Sequence, residues 1–201
     1  THLEEDPFVT LEACQRAGVP LVYASSASVY GTGPDFVERP GHERPLNAYA
    51  RSKAAFDQYV AERLDRLVAP VVGLRYFNVY GPGEAHKAEM ASQALQLSDQ
   101  VAADGVARIF GAGEGAAAGQ HRRDFVHVHD VVAVVRWFLA HPEARGIFNC
   151  GTGESRTFQD LADAVVAAMG HGEVVPVPFP DSLRGRYQSH TEADLTALRA
   201  T

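Results

Sequence analysis

Apolar positions in the first third of the chain follow the pattern of a helix, then a strand, then a second helix. In Phe8–Cys14 they recur on one helical face, and Gly18 is placed to end that helix. The nearly continuous apolar run over 19–24 predicts a buried strand of a parallel sheet. A loop rich in glycine and proline over 31–45 then leads to a helix predicted over 47–65.

A second apolar run, at 71–77, predicts another buried strand. Strand, helix and strand in this order predict a right-handed crossover, because parallel strands joined through a helix pack back onto their sheet with that hand. The fold class is therefore predicted to be α/β, with a doubly wound parallel sheet.

Beyond Gly81-Pro82 the pattern changes to shorter strands and amphipathic helices, which indicates a smaller α/β lobe. Asp130 is the N-cap candidate of one helix, and Trp137–Leu139 is the predicted core-facing stripe of that helix. The Gly/Ala-rich stretch 111–119 predicts a flexible loop. The other predicted elements are a helix near 89–103, a strand near 107–110 and a short buried strand at 146–151.

Composition excludes several classes of protein. A net charge of −7 argues against binding to the phosphate backbone of nucleic acids, so no nucleic-acid partner is predicted. No apolar run approaches the roughly 18 residues needed to cross a bilayer, and the N-terminus does not have the layout of a signal peptide. We therefore predict a cytoplasmic location and no membrane partner.

Cysteine and histidine usage predicts neither a disulfide framework nor a metal site. Cys14 and Cys150 lie far apart and outside a CxxC spacing, so both are predicted to be small buried hydrophobes. His127 and His129 lack a third convergent ligand, and we predict no metal.

A tyrosine and a lysine on one helical face carry the first candidate chemistry. Tyr49 and Lys53 are four residues apart, hence about one turn. A free tyrosine has a pKa of about 10, which a nearby ammonium lowers by favouring the phenolate. Such a pair is usually two surface residues, but here the preceding strand ends in the hydroxyls of Ser25, Ser26 and Ser28. Ligands of open α/β sheets bind at that end of a strand, although strand-end hydroxyls such as those of Ser25 and Ser28 often just satisfy the backbone.

Three motifs in order resemble the extended short-chain dehydrogenases/reductases of the NAD-dependent epimerase/dehydratase family. They are a serine at a strand end, the YxxxK helix, and RYFNVYGP at 75–82 after the next strand. The resemblance implies a partial Rossmann-type fold. It also implies that Tyr49 is the acid/base, that Lys53 binds the nicotinamide ribose and lowers the tyrosine pKa, and that Ser26 hydrogen-bonds the reacting oxygen.

Two further stretches resemble the ADP-glyceromanno-heptose 6-epimerases of that family. They are HKAEM at 86–90 and PFPDSLRGRYQ at 178–188, the second continued by TEADL at 191–195. The resemblance covers essentially the whole chain. It implies that Lys87 is a second acid/base that also contacts the cofactor, and that Val79 lies near the cofactor.

The same resemblance implies an ADP-heptose substrate and the residues that bind it. Glu89 and Gln96 depart from the pattern, since the best-known members have serine and histidine there, and a carboxylate facing a diphosphate would be repulsive. The implied positions are Asn78, Glu89, Gln96, Phe110, Gly111, Ala112, Gly113, Arg123 and Tyr187.

The resemblance also divides the chain by function. Residues 1–82 would be the C-terminal half of the dinucleotide-binding domain with the catalytic Ser, Tyr and Lys. Residues 83–201 would be mainly a substrate-binding lobe, with 124–150 returning to the first domain. No GxGxxG or GxxGxxG loop occurs in the chain. The first half of the nucleotide-binding sheet is therefore expected upstream of Thr1, and the family's last helix beyond the C-terminus.

The implied reaction inverts C6 of the heptose in ADP-D-glycero-β-D-manno-heptose, a step towards lipopolysaccharide. Transient oxidation by NADP, with NAD as the alternative, gives a ketone, and the hydride returns to the opposite face. Tyr49 and Lys87 would each serve one epimer, and the sequence leaves open which serves which.

Other functions stay open at this point. UDP-sugar 4-epimerases and sugar-nucleotide 4,6-dehydratases share Tyr49, Lys53 and RYFNVYGP, although Ser26-Ala27 stands where a dehydratase usually has an acidic pair. A non-catalytic sugar-nucleotide-binding module is the alternative from another class. The isolated chain is expected to be inactive and to bind NADP poorly. The resemblance implies a homo-oligomer, a pentamer.

Overall fold

The chain folds into two compact units of mixed helices and strands. The computed structural model describes residues 2–33, 35–185 and 187–201. The first unit comprises the chain up to Phe77, with Asp130–Cys150 and Ala193–Thr201, and the second comprises Asn78–His129 and Gly151–Glu192. The helices are α1 (His2–Ala17), α2 (Ala48–Ala61), α3 (Gln93–Asp104), α4 (Val128–Ala140), α5 (Phe158–Met169) and α6 (Thr196–Arg199). The strands are β1 (Leu21–Ser26), β2 (Val71–Tyr76), β3 (Asn78–Tyr80), β4 (Val106–Phe110), β5 (Arg122–His127), β6 (Gly146–Cys150), β7 (Ser155–Thr157) and β8 (Glu173–Val177).

The first unit is built on a parallel sheet in the order β1-β2-β6. Leu21 pairs with Val71 and Ser26 with Tyr76, so the carboxyl ends of β1 and β2 lie side by side. Helix α2 connects them, and its Phe56 and Val60 belong to a core cluster with residues of α1 and β2. The predicted α/β class with parallel strands is therefore confirmed.

Strand β1 is less buried than its apolar sequence predicts. Leu21 and Tyr23 are half-buried and Ala24 is exposed, whereas β2 is buried from Val71 to Arg75. The reason is that β2 lies between two strands, while β1 is the end strand in the order described for this sheet.

The second unit contains two small sheets. Strands β3, β5 and β7 form one, with β3 parallel and β7 antiparallel to β5, and β4 pairs with β8 in parallel to form the other. Its apolar cluster joins α3, β4 and α5, where Leu97, Ile109 and Ala162 are buried. This unit supplies the loop and strand ends that form the cavity described below.

The two units are defined by packing, and the predicted division by function into 1–82 and 83–201 stays a prediction. Residues 78–82 and 124–129 belong to the second unit, and 193–201 to the first. The C-terminal residues join the first unit because Ala193 and Leu195 are buried in one cluster with Tyr30 and Phe77.

Several helix ends also differ. The predicted end at Gly18 and start at Asn47 are confirmed, since Gly18 has φ +67° and Asn47 Oδ1 accepts a hydrogen bond from Ala50 N at 2.8 Å. Helix α4, however, begins at Val128, so Asp130 lies in its first turn instead of capping it. Helix α3 begins at Gln93, not near residue 89.

Three smaller predictions need correction. Of the predicted stripe in α4, Phe138 is buried but Leu139 is 54% exposed, because a core-facing helix buries only one side. Cys14 is only half-buried, while Cys150 is buried, and no disulfide is found among the described residues. Pro34 of the predicted loop and Arg186 of the 178–188 stretch lie outside the described residues. Among the helices described, none is both long and apolar enough to cross a bilayer.

Candidate active site and nucleotide cavity

Ser26 ends β1 and caps the 3-10 turn Ala27–Tyr30. Its backbone is extended, with φ −153° and ψ 142°, and its Oγ accepts a hydrogen bond from Ser28 N at 3.2 Å. The hydroxyls of Ser25 and Ser28 were expected to hydrogen-bond the backbone, but neither does so among the described residues. Ser25 Oγ donates to the Asp57 carboxylate at 2.8 Å, and Ser28 Oγ is buried with no partner among the described residues. Ser26 therefore stands at the strand end where ligands of α/β sheets bind.

Tyr49 and Lys53 lie on the first turns of α2. The side chain of Tyr49 is 57% exposed, and Lys53 Nζ lies 5.8 Å from the centroid of its ring. The same ammonium donates a hydrogen bond to the Ala24 carbonyl of β1 at 2.8 Å. A half-buried ammonium is thus held beside an accessible phenol at the end of a parallel strand, where ligands of open α/β sheets bind.

A buried ion cluster that the sequence did not reveal lies one turn further along α2. Asp57 accepts hydrogen bonds from Ser25 and from Arg75 Nε, and Arg75 also donates to Glu43 Oε1 at 2.7 Å. The spacing of four residues between Lys53 and Asp57 places the carboxylate on the helix face that carries Tyr49, but it does not identify its partners Ser25 and Arg75.

In the second unit, a cavity of about 330 Å³ brings together four of the predicted substrate residues, from β3, β4, β5 and the 178–188 stretch. They are Asn78, Phe110, Arg123 and Tyr187. The remaining lining comes from residues that were not predicted, namely Gln93, Arg108, Ile109, Gly119, His121, Phe158 and Leu183.

A buried guanidinium is the main charged group of this cavity wall. The Arg123 guanidinium lies 4.7 Å from the ring centroid of Tyr187 and 5.5 Å from that of Phe158. Burial lowers the pKa of Arg123, and the nearby Tyr187 opposes that change. Arginine remains charged at neutral pH in proteins. A cation fixed against aromatic faces suits a ligand that is both anionic and planar.

His121 is the cavity residue that sequence reasoning missed most clearly. It is 1% exposed, stacks on Phe179 at 5.5 Å and meets the ring of Tyr187 edge-on at 5.1 Å. Burial lowers the pKa of His121, which favours a neutral ring. Only its place in the HRRDF stretch, two residues before Arg123, could have indicated it.

Lys87 lies on the surface, in the 3-10 segment Ala85–Met90. The buried Glu84 organises this segment by accepting hydrogen bonds from Gly81 N and from the amide and hydroxyl of Ser92. Burial alone would raise the pKa of Glu84, but these hydrogen bonds hold it below its ordinary value. Glu84 is a second supporting residue that the sequence did not reveal.

The other predicted substrate and cofactor positions are not among the lining residues described for the cavity. Gln96 Nε2 donates to the carbonyls of Glu89 and Ala91, and so ties the 3-10 segment to α3. Val79 pairs with Val126 inside the sheet. Gly111 donates its amide to Val177 O at 2.6 Å, Ala112 is exposed, and Gly113 pairs with Ala116 in a tight turn.

Ser26 and Lys53 could contact one part of a nicotinamide dinucleotide and its substrate. They offer a hydroxyl and an ammonium at a strand end, which suit the reacting oxygen of a substrate and the hydroxyls of the nicotinamide ribose. The glycine loop that would hold the pyrophosphate does not occur in this sequence. Within the described ranges, no three His, Cys, Asp or Glu side chains converge as a metal site.

Comparison with known proteins agrees with these motifs. The chain is 56% identical over 187 residues to the ADP-L-glycero-D-manno-heptose-6-epimerase of Alkalilimnicola ehrlichii. The aligned region covers 93% of this chain and 58% of that protein. The crystal structure of the Helicobacter pylori enzyme of the same name matches with a TM-score of 0.78 at 28% identity, over 94% of this chain and 55% of that one. The Thermus thermophilus UDP-glucose 4-epimerase, solved with NAD, matches with a TM-score of 0.75 at 31% identity, over 94% and 60%.

The chain thus spans somewhat more than half the length of these relatives. The model of one family, described as the NAD dependent epimerase/dehydratase family, matches residues 7–151. That range contains the serine at the end of β1, the tyrosine and lysine of α2, and the RYFNVYGP stretch. The chain belongs to the NAD dependent epimerase/dehydratase family.

Proposed function

We propose that the protein epimerises ADP-D-glycero-β-D-manno-heptose to the L-glycero form at C6 of the heptose. The observation that carries this proposal is the 56% identity, over 93% of the chain, to a protein named for that activity. The cavity of the second unit supports it, because its buried guanidinium and aromatic rings suit a nucleoside diphosphate.

Substrate binding is proposed to use both charge and stacking. Arg123 would contact the diphosphate, while Phe110 and Tyr187 would pack against flat or apolar parts of the ligand. Asn78 lines the same cavity and can both donate and accept hydrogen bonds with hydroxyls. The sequence-based assignments of Glu89, Gln96 and residues 111–113 remain predictions.

The protein's catalytic groups are proposed to move the hydroxyl proton. Tyr49, which lies beside the Lys53 ammonium, would take the proton from the carbinol, and Ser26 would hold the oxygen from which it leaves. Lys87 would act as the acid/base for the other epimer. A nicotinamide dinucleotide, proposed as NADP with NAD as the alternative, supplies reversible hydride transfer when bound. Because hydride leaves and returns within one cycle, no net oxidation of substrate occurs.

The test uses the complete gene product and synthetic ADP-D-glycero-β-D-manno-heptose, with both epimers followed by NMR. Tyr49→Phe and Lys87→Met should each lower kcat by about 100-fold or more, since each removes a proton-transfer group. Tyr59→Phe is the matched control, because Tyr59 lies on the same helix but packs against Phe8 and Arg63. Normal rates for Tyr49→Phe or Lys87→Met would remove that residue from the mechanism.

Solvent deuterium tests the route. Transient oxidation returns the substrate's own hydride, so product formed in heavy water should carry no deuterium at C6. Deuterium at that carbon would indicate direct deprotonation and refute the proposal.

Epimerisation of a UDP-sugar at C4 is the second candidate. The 31% identity to the Thermus thermophilus UDP-glucose 4-epimerase favours it. Parallel assays with UDP-glucose decide between the two, because a kcat/KM for UDP-glucose above that for ADP-heptose would replace the first proposal by the second.

A further inference from the structure

A buried carboxylate on α2 binds the strand that ends in Ser26. Asp57 is 1% exposed, and its Oδ2 accepts a hydrogen bond from Ser25 Oγ at 2.8 Å. Its Oδ1 accepts from the Tyr23 hydroxyl at 3.0 Å. Residues 23 and 25 are two apart on β1, so both side chains leave the same face of the sheet. Burial raises the pKa of Tyr23, and the Asp57 charge raises it further, so this phenol stays protonated as a donor.

Arg75 extends the contact to the next strand. It is the register partner of Ser25 in the parallel pair, and its Nε donates to the same Asp57 Oδ2 at 2.8 Å. Its Nη2 donates a hydrogen bond to Glu43 Oε1 at 2.7 Å, and the guanidinium lies 4.9 Å from the ring centroid of Tyr30. One buried carboxylate therefore ties α2 to β1 and, through Arg75, to β2 and the loop before α2.

The same helix face carries the proposed catalytic pair. Tyr49, Lys53 and Asp57 are spaced by four residues and form one row along α2. Lys53 bonds Ala24 O, and Asp57 bonds the side chain of the next residue, Ser25. A rotation of α2 by one residue, about 100°, would break both contacts. The row is thus fixed against the last residues of β1.

We propose that Asp57, acting with Ser25 and Arg75, is a positioning residue that sets the placement of the Tyr49–Lys53 pair relative to Ser26. This inference rests on the proposed function. Its physical basis is that a displacement of about 1 Å in a reacting group costs about 100-fold in rate, while substrate affinity depends on other side chains. Loss of the contact should therefore lower kcat much more than it changes KM.

The decisive variant is Ser25→Ala in the complete gene product, with Ser28→Ala as the matched control. Both remove one serine hydroxyl near the end of β1. The Ser25 hydroxyl binds Asp57, whereas that of Ser28 has no partner within the described part of the chain. We expect Ser25→Ala to lower kcat by about ten-fold or more with KM within about two-fold, and Ser28→Ala to leave both within about two-fold.

Normalisation separates positioning from stability. Rates are expressed per bound dinucleotide, so a loss of folded enzyme leaves the normalised kcat unchanged. A displaced Tyr49–Lys53 pair lowers it, because the reacting groups are then out of place in every folded molecule.

A second pair of variants addresses the carboxylate. Asp57→Asn places an amide donor against Arg75 Nε and should lower kcat by about 100-fold, whereas Asp57→Glu keeps the charge and should recover part of it. If Asp57→Asn does not fold, Ser25→Ala alone decides. Unchanged kcat in Ser25→Ala, an equal loss in Ser28→Ala, or a loss that disappears when rates are normalised to bound dinucleotide would each overturn the inference. Wild-type protein without epimerase activity would instead overturn the proposed function, and the inference with it.

Discussion

Replacing Asn149 by alanine should be among the most destabilising single changes in the first unit. Asn149 is fully buried, and its Nδ2 donates to the carbonyls of Phe36 at 2.5 Å and Asp194 at 3.0 Å. Its Oδ1 accepts from the Tyr30 hydroxyl at 2.7 Å. The alanine variant leaves these three partners without their bonds inside the protein. At about 1–3 kcal/mol for each buried unsatisfied group, with partial relaxation, we expect a loss of about 3–5 kcal/mol in the free energy of unfolding.

The comparison variant is Tyr30→Phe, which removes one hydroxyl and leaves the two carbonyl contacts of Asn149 in place. It should cost about 1–2 kcal/mol. Urea unfolding of both variants and of the double variant measures these losses and their coupling. Unfolding is followed by circular dichroism, with the same concentration of dinucleotide in every sample. Because the two side chains share a hydrogen bond, the losses should fail to add by about 1 kcal/mol. A loss below about 1.5 kcal/mol in Asn149→Ala, or strict additivity, would refute the reasoning.

Three further predictions concern a helix cap, a helix end and the cavity. Thr157→Ala should cost about 1 kcal/mol at pH 7, because Thr157 and Asp160 form a capping box at the start of α5. The Thr157 backbone amide and then its hydroxyl hold the pKa of Asp160 below its ordinary value, so the part of the cap that depends on the Asp160 charge is present above the ordinary carboxyl pKa and is lost as the pH falls through the lowered one. The difference between the two proteins should then shrink without vanishing, because the bond from Asp160 N to Thr157 Oγ1 does not titrate. Thermal melts from pH 7 to pH 3 check it, and a pH-independent difference would contradict it. Gly18→Ala should destabilise by about 1 kcal/mol, since Gly18 has φ +67°, and an unchanged melting temperature would show that this end relaxes freely. Arg123→Lys should weaken ADP binding by about ten-fold in calorimetry, because lysine does not reproduce the planar contact with Tyr187; unchanged affinity would place the nucleotide elsewhere.

Local patterns predicted the framework of the proposed site well. The order of strand, helix and strand is confirmed, and so are Asn47 as the residue before α2 and the position of Ser26 at a strand end. These features depend on periodicity, capping and chain order, which act over a few residues. The sequence therefore placed Tyr49 and Lys53 on one helical face.

The predicted starts of two helices, α3 and α4, were wrong, because the neighbouring segments adopt other structures. Asp130 has the chemistry of an N-cap, but α4 begins two residues earlier, directly after β5. Residue 89 was expected in a helix, but the residues before α3 form a 3-10 segment in which Ala88 has φ +47°, and Ser92 supplies the cap. In both places neighbouring structure decided the boundary, and the helical pattern alone did not contain that information.

By itself, the sequence determined which chemical groups occur and in which order, including the spacing of Tyr49 and Lys53 and the family to which they point. Only the tertiary structure decided what supports them: Asp57 under β1, Glu84 under the Lys87 segment and His121 in the cavity wall. The physical reason is that a polar residue can be buried only where partners from distant segments satisfy it. Those partners are chosen by the packing of the whole unit, so no local pattern along the chain identifies them.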